Sequence, residues 1–144
     1  MTQPHQPVTI IMVEDDEGHA RLIEKNIRRA GVNNEIRHFS DGTSALGHLS
    51  DNRTRHGGPL LLLLDLNLPD MAGTEILARL KQDEKLKRTP VIVLTTTDDQ
   101  REIQRCYDLG CNVYITKPVD YGSFAQAIRQ LGLFFSVMQM PEVT

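Results

Sequence analysis

The sequence predicts an α/β fold in which a five-stranded parallel sheet carries helices on both faces. Short apolar runs and helix-period segments alternate five times along the 144 residues, the pattern that right-handed strand–helix–strand crossovers produce. One run, Leu60 to Leu64, is leucine at all five positions and lies in a stretch bounded by Pro59 and Pro69, which reads as a strand buried on both faces. The other strand-like runs also end abruptly in polar groups: Glu14-Asp15-Asp16, Thr95-Thr96-Thr97 and Lys117-Pro118. A parallel sheet brings all such ends to one edge, where open α/β folds bind their ligands.

The elements follow in order. Residues 1–7, with two prolines and no apolar periodicity, read as a flexible N-terminal arm. Val8 to Val13 is the first strand; Ala20, Ile23, Ile27 and Ala30 then recur at helical spacing, and Gly31 supplies a stop. Glu35 to Phe39 is the second strand, after which Ser40-Asp41-Gly42 opens a helix carrying Ala45, Leu46 and Leu49. The polar stretch Asp51 to Gly58 reads as a loop. Beyond the leucine strand, Ile76, Leu77 and Leu80 mark a third helix, and its tail Lys81-Gln82-Asp83-Glu84-Lys85 reads as a solvated face. Pro90 to Leu94 is the fourth strand. Ile103, Cys106, Tyr107 and Leu109 mark a fourth helix, capped from Thr97, Asp98 or Asp99 and closed by Gly110. Asn112 to Thr116 is the fifth strand, and Tyr121, Phe124, Ala125, Ile128 and Leu131 mark the fifth helix. With no repeat or interdomain linker, residues 8–132 are expected to form one domain and residues 133–144 an apolar extension.

Composition narrows the function. At 40% hydrophobic and 24% charged, the chain fits one globular domain that buries about 70% of its unfolded surface. A net charge of −3 with no basic stripe argues against nucleic-acid binding. Cys106 and Cys111 form no paired motif, and His5, His19, His38, His48 and His56 have no metal-ligand spacing, so a structural zinc site is not expected. No segment resembles a signal peptide or a membrane span, so a cytoplasmic protein without membrane contact is expected.

An aspartate after a strand is by itself a common turn former. Here, however, Asp65 shares its sheet edge with Glu14, Asp15, Thr95 and Lys117. Crowded carboxylates raise one another's pKa unless a cation sits among them. A hard divalent ion suits Glu14, Asp15 and Asp65, and Mg²⁺ accepts a few carboxylates while keeping waters for an incoming phosphate; the Asn67 backbone carbonyl can add a ligand. Lys117 is a point charge for phosphate oxygens and the Thr95 hydroxyl a donor to one. With Asp65 as nucleophile, the product is an aspartyl phosphate.

These motifs resemble the receiver domain of two-component response regulators. The match rests on the acid pair Glu14-Asp15, Asp65 with Asn67 and Pro69-x-x-x-Gly73 behind it, Thr95 thirty residues later, and Lys117-Pro118 twenty-two beyond that. The resemblance implies the flavodoxin-like (βα)5 receiver fold. It also implies Mg²⁺ held by Glu14, Asp15, Asp65 and Asn67, with Asp65 as acceptor of a phosphoryl group from a sensor histidine kinase. Thr95 and Lys117 would bind that group, Thr95 and Tyr114 would serve as switch residues, and the Lys117-Pro118 bond would be cis. Such a chain is a phosphoacceptor signalling protein, not an enzyme beyond its own phosphorylation and dephosphorylation. Two positions depart from the common pattern: Thr96 is bulkier than the usual residue after the switch threonine, and the loop from Arg53 to Gly58 is longer than in the shortest receivers.

No output domain is expected after residue 118, so the output would be contact with a downstream phosphorelay or effector protein. Leu131, Leu133, Phe134, Phe135, Val137, Met138 and Met140 are too many apolar groups for one helix stripe. They either fold back over the domain or form an interface, and the second reading predicts a homodimer. The phenylalanine-rich extension is similar to that of the small regulators paired with phytochromes. An alternative, a Mg²⁺-dependent phosphohydrolase with Asp65 as nucleophile, normally needs a further acid two residues on, where this chain has Asn67.

Overall fold

The computed structural model of the chain describes residues 7–29, 31–55, 58–117, 122 and 126, and of residues 52–55 the backbone alone. Five strands, β1 (Thr9–Val13), β2 (Ile36–Phe39), β3 (Leu60–Leu64), β4 (Val91–Thr95) and β5 (Val113–Thr116), form one parallel sheet in the order β2-β1-β3-β4-β5. Four helices connect them: α1 (Glu17–Arg29), α2 (Gly42–Arg55), α3 (Gly73–Gln82) and α4 (Gln100–Leu109). The predicted fold class is the observed one. Gly122 and Gln126 of the expected fifth helix are helical, and the apolar residues that mark that helix, the apolar extension and Pro118 lie outside the described residues.

All five leucines of β3 are buried. Side chains alternate across a strand, so Leu62 and Leu64 join a core with Ala45, Leu49, Ile76, Leu77 and Cys106 of α2, α3 and α4. Leu61 and Leu63 point the other way, to Ala20, Ile23 and Ile27 of α1. Burying one such leucine contributes roughly 1.5–3 kcal/mol, and the two cores pin the sheet's register from both sides. That register pairs Val13 with Leu64 and Thr95 with Thr116. The residues that follow therefore emerge level with one another at a single edge.

Local chemistry selects among the caps. The Asp99 carboxylate accepts from the Arg101 N–H at 2.8 Å and caps α4, so Thr97 and Asp98 do not; Gly110 closes the helix at φ 111°, a conformation that suits glycine. Two expectations fail. α2 continues to Arg55 where a loop was expected from Asp51. Polar residues do not break a helix as glycine and proline do, and after Gly47 the next of either is Gly57. Lys81 is not simply part of a solvated face: its partly buried stem runs under the next loop and its Nζ donates to the carbonyls of Lys87 at 3.1 Å and Thr89 at 2.8 Å. Burial pushes that ammonium's pKa down.

Candidate functional site

Backbone hydrogen bonds deliver the acids to the edge. The Glu14 N–H donates to the Phe39 carbonyl and the Asp65 N–H to the Val13 carbonyl, both at 3.0 Å, which extends the β2-β1-β3 ladder one residue past the strands. The Lys117 N–H likewise donates to the Thr95 carbonyl at 2.6 Å. Glu14, Asp65 and Thr95 are buried, and Asp15 is exposed. Carboxylate oxygens of Glu14, Asp15 and Asp65 lie within 4.8 Å of one another. Three convergent oxygen donors with one open side are the donor set of a hard divalent cation and suit no soft metal.

Lys117 closes the other side. Its ammonium lies 2.5 Å from Glu14 Oε1 and 3.3 Å from Asp65 Oδ2, and all three side chains are at most 7% exposed. Burial raises the Glu14 pKa, opposed first by the Lys117 hydrogen bond and then by the Asp16 N–H, which donates to Oε2 at 3.1 Å. An ion pair this dry needs further hydrogen bonds to hold its groups. Asp65 Oδ1 has one from the Asn67 N–H at 3.0 Å.

Gly73 sits against this loop so tightly that a Cβ would lie 2.4 Å from the Asp65 carbonyl oxygen. The Asn67 carboxamide reaches across to β4, its Nδ2 donating to Thr95 Oγ1 at 3.3 Å and Thr96 Oγ1 at 3.4 Å. The exposed Thr96 thus shares a donor with the buried Thr95. On β5, the Tyr114 hydroxyl donates to the Thr97 carbonyl at 2.7 Å, and burial pushes the phenol up to about 12. Every site residue expected from the sequence, Glu14, Asp15, Asp65, Asn67, Thr95, Tyr114 and Lys117, therefore lies at this edge or on the strand leading to it.

Three contacts escaped the sequence reading. Asp70, behind Asp65, accepts from the backbone N–H groups of Gly42 at 2.9 Å and Thr43 at 2.8 Å, and so caps α2 from another segment. His38 Nε2 lies 2.6 Å from the Glu14 carbonyl, which can only accept, so that nitrogen carries the proton. His19 Nδ1 lies 3.4 Å from Lys117 Nζ. Metal-ligand spacing could not flag the histidines, because neither one bonds to its partner as a metal ligand would.

A doubly wound parallel sheet with an acid cluster, a threonine and a lysine at its carboxyl edge is the arrangement of a receiver module. The chain belongs to the response regulator receiver domain family, which it matches over residues 10–129. A response regulator receiver domain from Rhodospirillum rubrum is 68% identical, with a TM-score of 0.78 over 94% of this chain and 99% of that one. The phosphorylated cyanobacterial phytochrome response regulator RcpA is 33% identical, with a TM-score of 0.75 over 96% of this chain and all of that one, 100%. Response regulator Rcp1 of Synechocystis is 36% identical over 117 residues, 80% of either chain. The Mn²⁺-bound form of Rcp1 has been solved and superposes at a TM-score of 0.73, 33% identical over 90% of this chain and 94% of that one. Among the described residues no helix is long and apolar enough to cross a membrane.

Proposed function

We propose that this receiver accepts a phosphoryl group on Asp65 from a sensor histidine kinase and signals through protein contacts. The observation that carries the reading is the Lys117 ammonium lodged between Glu14 and Asp65, 2.5 and 3.3 Å away. A cation that offsets the neighbouring charge without masking the lone pairs of Asp65 leaves that carboxylate free to attack, and Lys117 holds Glu14 closer than Asp65. An Asp65 oxygen forms a bond to phosphorus as the P–N bond to the donor's histidine breaks, and the bonding pair stays on that nitrogen. Hydrolysis later returns inorganic phosphate and the free carboxylate. Lys117 and the Thr95 hydroxyl meet the transferred oxygens, and Tyr114 reports the movement of Thr95 to the β4–α4 loop through Thr97.

Glu14, Asp15, Asp65 and the Asn67 carbonyl would hold Mg²⁺, which offsets the negative charge on the phosphoryl oxygens. The relationship to RcpA and Rcp1 supports a phytochrome-type kinase as donor, acting in the cytoplasm, and a downstream phosphorelay or effector protein as recipient. Consecutive Leu133-Phe134-Phe135 support a homodimer, because no single helix stripe buries all three. Incubation with acetyl phosphate and Mg²⁺, followed by intact mass, tests the central step. Wild type should gain one phosphoryl group and Asp65→Asn none. Continuous turnover of the donor without a phosphorylated intermediate, or uptake by the Asn variant, would refute it.

A further inference from the structure

Lys117 has three N–H donors and meets three acceptors: Glu14 Oε1 at 2.5 Å, Asp65 Oδ2 at 3.3 Å and His19 Nδ1 at 3.4 Å. The first two are anions of the acid cluster. The third is an imidazole on the first turn of α1. An ammonium has no lone pair, so it can only donate in this contact, and Nδ1 serves as its acceptor when unprotonated. The residue is anchored where it stands: its backbone N–H donates to Asp16 Oδ1 at 3.0 Å, and its ring lies 3.9 Å from Asp16 Oδ2. Asp16, from the turn before α1, and Lys117, from the end of β5, both lie against the ring.

We propose that His19 is a positioning residue for phosphoryl transfer to Asp65. By accepting the third N–H of Lys117, it keeps the ammonium from closing fully onto the two carboxylates. Asp65 thereby keeps a lone pair for phosphorus, and the lysine stays poised to turn to the arriving oxygens. The inference rests on the phosphoacceptor reading above. A neutral acceptor fits the task because it is cheap to leave: a phosphoryl dianion offers the ammonium a charge-assisted bond roughly twice as strong as a neutral one. A carboxylate in the same place would compete with the phosphate for the lysine. Protonation of His19 turns the attraction into repulsion between two cations and drives Lys117 onto Glu14 and Asp65, as loss of the imidazole would.

Two variants separate the acceptor from the mere bulk of the ring. In His19→Asn, Oδ1 stands where Nδ1 stood and still accepts but does not titrate; His19→Leu fills the space and accepts nothing. Initial rates of phosphoryl uptake from acetyl phosphate with Mg²⁺ would be followed by intact mass between about pH 5 and 8, where an imidazole changes charge. At the upper end the Asn variant should stay within about twofold of wild type and the Leu variant fall about three- to tenfold, the range of one ordinary hydrogen bond. As the pH falls, wild type should slow towards the Leu variant relative to Asn, since pH dependence shared by all three belongs to the carboxylates and the donor. Three superimposable profiles, or a Leu variant as fast as wild type at the upper end, would overturn the role of His19 while leaving Asp65 as acceptor. Should the Leu variant not fold, superimposable wild-type and Asn profiles would overturn it equally. A wild type that takes up no phosphoryl group overturns both readings.

Discussion

Gly73 abuts Asp65 backbone to backbone: a Cβ at residue 73 would lie 2.4 Å from the Asp65 carbonyl oxygen and 2.7 Å from Leu66 Cα. Both are main-chain atoms at the end of a buried strand, so neither swings aside as a flexible side chain would. The same glycine donates its N–H to the Leu66 carbonyl at 2.8 Å, which ties the start of α3 to the loop that carries the acid. The glycine is thus a spacing device for Asp65.

Gly73→Ala should therefore cost about 1–3 kcal/mol, the usual penalty for overpacking, and should slow phosphoryl uptake more than that loss explains. Urea unfolding and uptake from acetyl phosphate check the two effects separately. Unchanged stability would mean that the loop relaxes freely and that the close approach fixes nothing.

Asp70 should make a pH-dependent contribution to stability. The Thr43 hydroxyl, followed by the Gly42 and Thr43 N–H groups, holds its carboxyl down at about 2. A folded-state pKa below the unfolded value, about 3.9, stabilises the fold above that unfolded value, and the contribution is lost as the pH falls from about 4 through about 2. Denaturant midpoints of wild type and Asp70→Asn should accordingly differ at neutral pH and converge over that window. A difference that stays constant down to pH ~2 would mean the carboxylate's charge is not what caps α2.

Lys117→Met should destabilise the metal-free protein by about 3 kcal/mol, because it leaves the buried carboxylates of Glu14 and Asp65 without their cation. Mg²⁺ should restore part of this and bind the variant more tightly than wild type, since the competing ammonium is gone. Burial already raises the Glu14 pKa, so the sign is clear: a raised acid binds its proton more tightly when folded, and the variant's deficit should shrink as the pH falls. Thermal unfolding in EDTA and in Mg²⁺ tests this, and equal stability of variant and wild type in EDTA would contradict it.

Replacing Phe134 and Phe135 together by Asp should give a folded monomer in sedimentation analysis. Each Phe buried at an interface is worth about 1.5–3 kcal/mol, and a two-fold axis doubles every contact. A wild type that is already monomeric at high concentration, phosphorylated or not, would show that residues 133–144 do not associate.

The sequence by itself determined the sheet, its parallel sense and the polar groups gathered at its edge. The run of five leucines after Pro59 reads as a strand buried on both faces, and the strand ends name Glu14, Asp15, Asp65, Thr95 and Lys117, because a parallel sheet brings them to one edge. Local composition was a weaker guide where a helix can carry polar residues, so α2 outran its expected end. It failed for Lys81, whose partners on the following loop are set by how that loop folds back. Only the tertiary structure decided which acid Lys117 holds closer, that Asp70 caps a helix begun 28 residues earlier, and that His19 meets the lysine 98 residues away. The physical reason is one of range: periodicity and strand ends are written in neighbouring residues, whereas a hydrogen bond between distant segments exists only after packing has fixed the distance between them.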